Sequence, residues 1–79
     1  VKSESGDDLH YRNELRKTIF EAIDKLPQKE RVAVTLSKYE GMSYQEISEV
    51  LECTVGAVKT HIYRGRMKLV EDLKDLVEE

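Results

Sequence analysis

SYQEISEVLECTVGAVKTHIYRGRMK, residues 43–68, carries the clearest structural signal in this chain of 79 residues. It opens with Ser43 and Glu46, the spacing of a capping box, in which each side chain bonds the other residue's backbone N–H. Apolar residues then recur at helical spacing on both sides of a short interruption at residues 52–54, where Thr54 suits a helix N-cap. A short helix, a tight turn and a second helix with a cationic outer face are typical of a helix-turn-helix.

Apolar periodicity outside this stretch predicts an all-α fold, a compact domain of four helices with a long last helix. Helix one spans about residues 9–25, and helix two spans about residues 27–39, with Pro27 in its first turn. Gly41 can take the left-handed conformation that ends a helix, and helix four spans about residues 55–76. The positions expected to face inward are Leu15, Ile19, Ala22, Ile23, Leu26, Val32, Ala33, Leu36, Tyr39, Ile47, Val50, Leu51, Val55, Val58, Ile62, Gly65, Leu69, Leu73 and Leu76.

Residues 1–8 (VKSESGDD) are almost entirely polar, and we expect them to be a flexible tether from a longer parent chain. Residues 9–79 then form one helix-turn-helix DNA-binding domain. No apolar run approaches the roughly 20 residues of a membrane span, so no membrane partner is expected. A single cysteine, Cys53, excludes an internal disulfide, and His10 and His61 lie too far apart to indicate a metal site. This cysteine usage fits a reducing, cytoplasmic location.

The charge of the chain is unevenly distributed, although its net value is −3. Residues 52–69 contain four basic residues against one glutamate and so carry +3. Residues 70–79 contain five carboxylates against one lysine and so carry −4. Because a local basic stripe can bind phosphates even on an acidic domain, the stripe on helix four indicates a nucleic-acid partner.

On a helical wheel of helix four, the face opposite Val58 is polar and cationic. An arginine there can fork to guanine, a lysine can reach a base edge or a phosphate, and a threonine methyl group can meet thymine in the major groove of double-stranded DNA. A glycine near the helix start leaves room for the DNA backbone. The outward set comprises Gly56, Lys59, Thr60, Tyr63, Arg64 and Met67.

Three stretches resemble region 4 of bacterial sigma factors, most closely those of the extracytoplasmic-function group. They are LPQKER at residues 26–31, EGMSYQEI at residues 40–47 and VGAVKTHIYRGR at residues 55–66, and the resemblance extends without a gap over about residues 15–74. It implies a domain that binds the −35 element of promoter DNA and docks on the β-subunit flap of RNA polymerase core. It also implies capture by an anti-sigma factor.

The resemblance also implies roles for individual residues. Lys59, Thr60, Tyr63 and Arg64 match base-contacting positions of the family, and they overlap the outward set found on the wheel. Ser43 and Tyr44 match positions that touch phosphate, as the dipole at a helix amino end favours. The full set expected on the DNA backbone is Ser43, Tyr44, Gly56, His61, Arg66 and Lys68. Five positions depart from the usual pattern: Ser48 and Gly65 replace alanine, Glu52 replaces a glycine of the turn, Ala57 replaces threonine, and His61 replaces arginine.

Two other functions compete with the sigma-factor interpretation. The DNA-binding domain of two-component and quorum-sensing regulators shares the VKTH run at residues 58–61 and the later Lys68-Leu69, although LP at residues 26–27 and the Arg64-x-Arg66 pair favour a sigma factor. A helical protein-interaction module is the third reading. Catalysis is not expected, because neither His61 nor Cys53 has a partner group at a suitable spacing. The sequence therefore indicates no enzyme, no cofactor and no small-molecule substrate.

Overall fold

The structure, a computed structural model, describes the backbone of residues 6–77 and the side chains of residues 9–74. This part of the chain contains four α-helices and no strand, which confirms the predicted all-α fold. They are α1 (Gly6–Asp24), α2 (Gln28–Lys38), α3 (Tyr44–Leu51) and α4 (Val55–Val77). No helix within these residues is both long and apolar enough to cross a membrane.

The helix boundaries lie close to the predicted ones, with one difference at the start of the chain. Helix α1 begins at Gly6, three residues before the predicted start, so Asp7 and Asp8 belong to a helix rather than to a tether. Aspartate is suited to the first turn because a helix carries partial positive charge at its amino end. Residues 1–5 of the proposed tether lie outside the described residues. Pro27 immediately precedes α2, and its carbonyl accepts the Arg31 N–H at 2.8 Å.

The core consists of two clusters that α2 and α4 share. In the first, Ala33 of α2, Ile47 of α3 and both Val58 and Ile62 of α4 are buried together. In the second, Ile23, Leu26 and Val34 are buried, with Ile19 and Leu69 packed against them. Helix α4 therefore packs against all three other helices, and its buried face follows the predicted apolar stripe.

Two residues predicted to face inward are largely exposed. Tyr39 is 52% exposed and stacks on Phe20 with ring centroids 5.7 Å apart, and Val50 is 56% exposed. Val34 and Ser48 are buried instead. Helix α2 contacts both α3 and α4, and α3 contacts both α2 and α4. The buried face of each helix is therefore rotated away from the face that one apolar stripe in the sequence predicts. The side chain of Leu76 lies outside the described residues.

Local hydrogen bonds cap the amino ends of both helices of the helix-turn-helix as predicted. Ser43 Oγ accepts the Glu46 N–H at 3.1 Å, and Glu46 Oε1 accepts the Ser43 N–H at 2.8 Å, which completes the capping box. Thr54 Oγ1 accepts the Ala57 N–H at 3.0 Å and caps α4. Between the helices, Glu52 is left-handed, with φ 56° and ψ 50°. The turn therefore keeps a backbone conformation that favours glycine although a glutamate occupies it.

Gly65 allows the close approach of α2 to α4. A Cβ atom placed on Gly65 would lie 2.8 Å from Val34 Cγ2 and 3.5 Å from both Glu30 Cβ and Leu26 Cδ1. Carbon atoms do not pack at 2.8 Å, so a side chain here would require Val34 or one of the two helices to shift. Gly65, which was predicted to face inward, is thus a point of close contact between α2 and α4.

We expect Gly65→Ala to lower the free energy of unfolding by up to about 2 kcal/mol, measured by urea denaturation. The clash with Val34 costs about 1–3 kcal/mol, and the better helix propensity of alanine returns only about 1 kcal/mol. Val34→Ala removes the clashing methyl group, so it should cost less in the Gly65→Ala background than in the unchanged protein. Strict additivity of the two substitutions would contradict a direct contact.

We expect Glu52→Gly to raise the free energy of unfolding by about 0.5–1 kcal/mol. Left-handed backbone costs a non-glycine residue about 1–2 kcal/mol, and the greater entropy of an unfolded glycine offsets part of that gain. Glu52→Ala is the control, because it removes the charge but keeps the strained Cβ. Thermal melts that show an equal gain for both variants would assign the effect to charge and not to backbone strain.

Candidate nucleic-acid interface

The first three turns of α4 present the predicted base-reading residues to solvent. Lys59, Thr60, Tyr63 and Arg64 are all exposed, and Tyr63 is 65% exposed. Val58 and Ile62 on the opposite side are buried in the core. Because these two aliphatic residues face the core, the four polar residues on the other side of the helix face outward.

Hydrogen bonding limits what Thr60 can offer to a ligand. Its hydroxyl donates to the Gly56 carbonyl at 3.1 Å, one turn earlier in α4. The donor is therefore occupied, and the methyl group remains the free part of the side chain for contact with thymine. Gly56 itself is exposed, and a Cβ placed there would meet only Thr54 Oγ1, at 3.8 Å. The space in front of the helix start is thus open to a DNA backbone.

The four basic residues of α4 up to Lys68 divide into three that face solvent and one that faces the protein. Lys59, Arg64 and Arg66 are exposed, and none takes part in either ion pair found among the described side chains. Lys68 Nζ instead lies 2.9 Å from Oε1 of Glu30, on α2. Lys68 was expected on the DNA backbone, and in this structure its ammonium group is paired with a buried carboxylate.

Glu30 is the residue of this region that sequence reasoning missed. It is a buried glutamate on α2, and its carboxylate accepts from Lys68 Nζ. Its burial has no signal in the sequence, because the positions expected to face inward, Val32, Ala33, Leu36 and Tyr39, lie on a different side of the helix. A buried glutamate needs a cation close by, since an unpaired buried carboxylate is costly.

The amino end of α3 is less free to bind phosphate than its dipole suggests. The capping box already uses the N–H groups of Ser43 and Glu46, and it places the Glu46 carboxylate at the helix start. A phosphate would meet that negative charge, so contact there depends on the Ser43 hydroxyl hydrogen and on the exposed side of Tyr44. His61, the other expected backbone contact, is half-buried on α4.

An apolar groove of about 280 Å³ adjoins the base-reading face. It lies between α1, the carboxyl end of α2, the amino end of α3 and the middle of α4. Lys38 and Arg66 are the charged residues on its walls, and both are cations. Tyr44 and Arg66 also border a second depression that contains Lys59 and Tyr63, so the groove and the base-reading face are continuous. The apolar walls of the groove are Ile19, Ile23, Val34, Tyr39, Tyr44, Ile62, Leu69 and Val70.

The chain has a capped short helix, a left-handed turn and a second helix with an exposed cationic face. These features define a helix-turn-helix domain. The family model for sigma-70 region 4 matches residues 16–69. The chain therefore belongs to the sigma-70 region 4 family, which confirms the resemblance seen in the sequence and does not favour the two-component or quorum-sensing alternative.

Named relatives agree with this family. The chain is 37% identical to the RNA polymerase sigma-H factor of Pseudomonas aeruginosa over 76 residues, which cover 96% of this chain and 39% of that protein. It is 35% identical to the ECF RNA polymerase sigma-E factors of Escherichia coli and Salmonella typhimurium over 71 residues, which cover 90% of this chain and 37% of each relative. The chain thus spans somewhat more than a third of the length of these relatives.

We expect Arg64→Ala to reduce discrimination between a selected duplex and a random duplex by about 1–3 kcal/mol, the usual contribution of a bidentate base contact. Affinity for the random duplex should fall much less, because most of that affinity comes from phosphates. Fluorescence anisotropy with the two labelled duplexes measures both quantities. Arg12→Ala removes an exposed arginine of α1 and serves as the control for charge. Equal losses on both duplexes would assign Arg64 to a phosphate.

Proposed function

We propose that this chain is the −35 promoter-binding domain of an extracytoplasmic-function sigma factor that directs RNA polymerase to promoters in the cytoplasm. The observation that supports this most directly is the exposed face of α4. Lys59, Arg64 and Arg66 lie on it without a carboxylate partner among the described side chains. Membership of the sigma-70 region 4 family supports the same function.

Within this proposal, different residues of α4 contact different parts of the DNA. Arg64 donates two hydrogen bonds to a guanine, and Lys59 reaches a neighbouring base edge. The Thr60 methyl group and the Tyr63 ring contact bases through apolar surface. Contacts to phosphate come from Ser43, Tyr44, Gly56, His61 and Arg66 and hold the helix in register without reading sequence.

The charges of the domain support only weak binding to DNA by the chain alone. Glu46, Glu49 and Glu52 are all exposed on or beside α3, next to the DNA-reading helix, and the net charge is −3. Like charges repel phosphate, and Lys68 does not compensate because it is paired with Glu30. A second attachment to polymerase would supply the missing affinity by raising the effective concentration of the domain at the promoter.

The apolar groove is the best candidate for that second attachment. Its walls are mostly apolar, and the exposed Phe20–Tyr39 ring pair extends it along α1. An exposed apolar surface of this kind marks a protein-binding site more often than a solvated face. We assign the groove to the β-subunit flap of RNA polymerase, and an anti-sigma factor that covers it would prevent that docking.

Two single substitutions should separate the two surfaces. We expect Phe20→Ser to weaken binding to an isolated β-flap fragment by about tenfold or more, as loss of an aromatic anchor does, and to leave DNA affinity almost unchanged. Tyr63→Ser should weaken binding to the selected duplex and leave flap binding almost unchanged. Anisotropy titrations measure all four affinities, and circular dichroism melts confirm that each variant folds.

Other outcomes of this experiment would contradict the proposal in distinguishable ways. If Phe20→Ser left flap binding intact, the groove would not be the docking surface. If the unchanged chain showed no preference for any duplex, the DNA-reading function would be wrong, and a helical protein-interaction module would be favoured. A nanomolar dissociation constant of the lone chain for DNA at physiological salt would contradict the need for a second attachment.

A further inference from the structure

One ion pair joins two helices of this domain, and it lies directly beside the DNA-reading segment. Lys68 Nζ of α4 and Glu30 Oε1 of α2 are 2.9 Å apart. The Glu30 side chain is only 9% exposed, whereas that of Lys68 is 50% exposed. The other ion pair among the described side chains, between Lys74 and Glu71, lies within α4 and is largely exposed.

The pair lies beside Gly65, where α2 and α4 are in close contact. Glu30 Cβ is 3.5 Å from a Cβ placed on Gly65, and Lys68 follows Gly65 by three residues, which is about one helical turn. Contact at a glycine sets the distance between two helices, but a glycine has no side chain that resists rotation of α4 about its own axis. The ion pair adds a second, directional contact one turn farther along α4.

A phosphate would have to compete with Glu30 for the ammonium group of Lys68. Moving Lys68 to DNA would leave a buried carboxylate without its cation, and breaking a buried pair in this way is strongly unfavourable. This cost favours retention of the Lys68–Glu30 pair when DNA binds. Its position four residues after Arg64 means that any rotation of α4 at Lys68 also turns the guanidinium of Arg64.

We propose that Lys68 is a positioning residue for DNA recognition, which acts through Glu30 to hold the rotation of α4 and so the direction of Arg64 and its neighbours. The inference rests on the proposed DNA-reading function. It replaces the phosphate contact that the sequence suggested for Lys68. Base reading is sensitive to such a restraint, because a recognition group must be held within about 0.5 Å of its productive position.

Glu30→Gln distinguishes the two roles of Lys68 by the sign of its effect. If Lys68 binds phosphate, removal of a negative charge that competes for it should strengthen binding to every duplex. If Lys68 is a positioning residue, Glu30→Gln should weaken discrimination, although the chain becomes less acidic. Lys68→Met should have the same effect, and Lys68→Arg, which preserves the charge pair, should retain discrimination.

The experiment uses the 79-residue chain and two duplexes of equal length, one selected by the unchanged chain from a randomised pool and one of random sequence. Affinities are measured over a series of salt concentrations at a temperature where melts show every variant to be folded. We expect Lys68→Met and Glu30→Gln each to lower the ratio of selected to random affinity about fivefold, a typical coupling between residues in contact. The slope of log affinity against log salt should stay unchanged. Lys74→Met, the matched control, should change neither quantity.

Three results would overturn the inference. A salt slope reduced by about 1 in Lys68→Met would identify a phosphate contact. An unchanged ratio of selected to random affinity in Lys68→Met and Glu30→Gln would leave the pair with a purely structural role. If the unchanged chain showed no preference for the selected duplex, the DNA-reading function itself would be rejected. If the single variants do not fold, the double variant Glu30→Met and Lys68→Met replaces the pair by apolar contact. Full discrimination by that folded double variant would equally overturn the inference.

Discussion

The contact between α2 and α4 at Gly65 is the tightest constraint in this domain. Since Val34 occupies the space that a Cβ on Gly65 would need, the two helices lie closer than ordinary side chains permit. That approach lets α4 pack against α1, α2 and α3 and lets α2 contribute to both core clusters. A small domain has few buried residues, so one long helix that packs against the three others gives a defined arrangement with a limited core.

The same packing distributes the charges of the domain. Burial of Val58 and Ile62 turns Lys59, Arg64 and Arg66 to solvent, whereas Lys68, one turn after Arg64, meets Glu30. A run of four cations along the sequence thus becomes three cations available to a ligand and one internal pair. The acidic residues of α3 lie beside this face, so the surface favours a ligand that is positioned by shape and base contacts more than by total charge.

Two surfaces of the domain meet at shared residues. Tyr44 and Arg66 border both the apolar groove and the depression beside Lys59 and Tyr63. A partner that fills the groove therefore lies next to bound DNA, and the small size of the domain leaves little surface between the two. Both surfaces also depend on the capping box of α3, because Ser43 and Glu46 fix the start of this helix and so the position of Tyr44, its first residue.

Local sequence was sufficient for the four helices, the capping box, the threonine cap and the outward face of α4. Those features depend on residues within one or two helical turns of each other, and spacing in the chain reports such neighbours directly. The left-handed Glu52 shows how strong this local pattern is, because the turn forms without the usual glycine. The membership of the sigma-70 region 4 family could likewise be recognised from short stretches in the right order.

Contacts between segments that are distant in the sequence could not be predicted from local spacing. The exposure of Tyr39 and Val50, the burial of Val34 and the pairing of Glu30 with Lys68 all depend on which helices pack together and at what rotation. Glu30 and Lys68 are separated by 38 positions, and each alone looks like an ordinary exposed charged residue. Only the fold brings them together, because the close approach at Gly65 removes water from the glutamate and leaves the lysine as its partner.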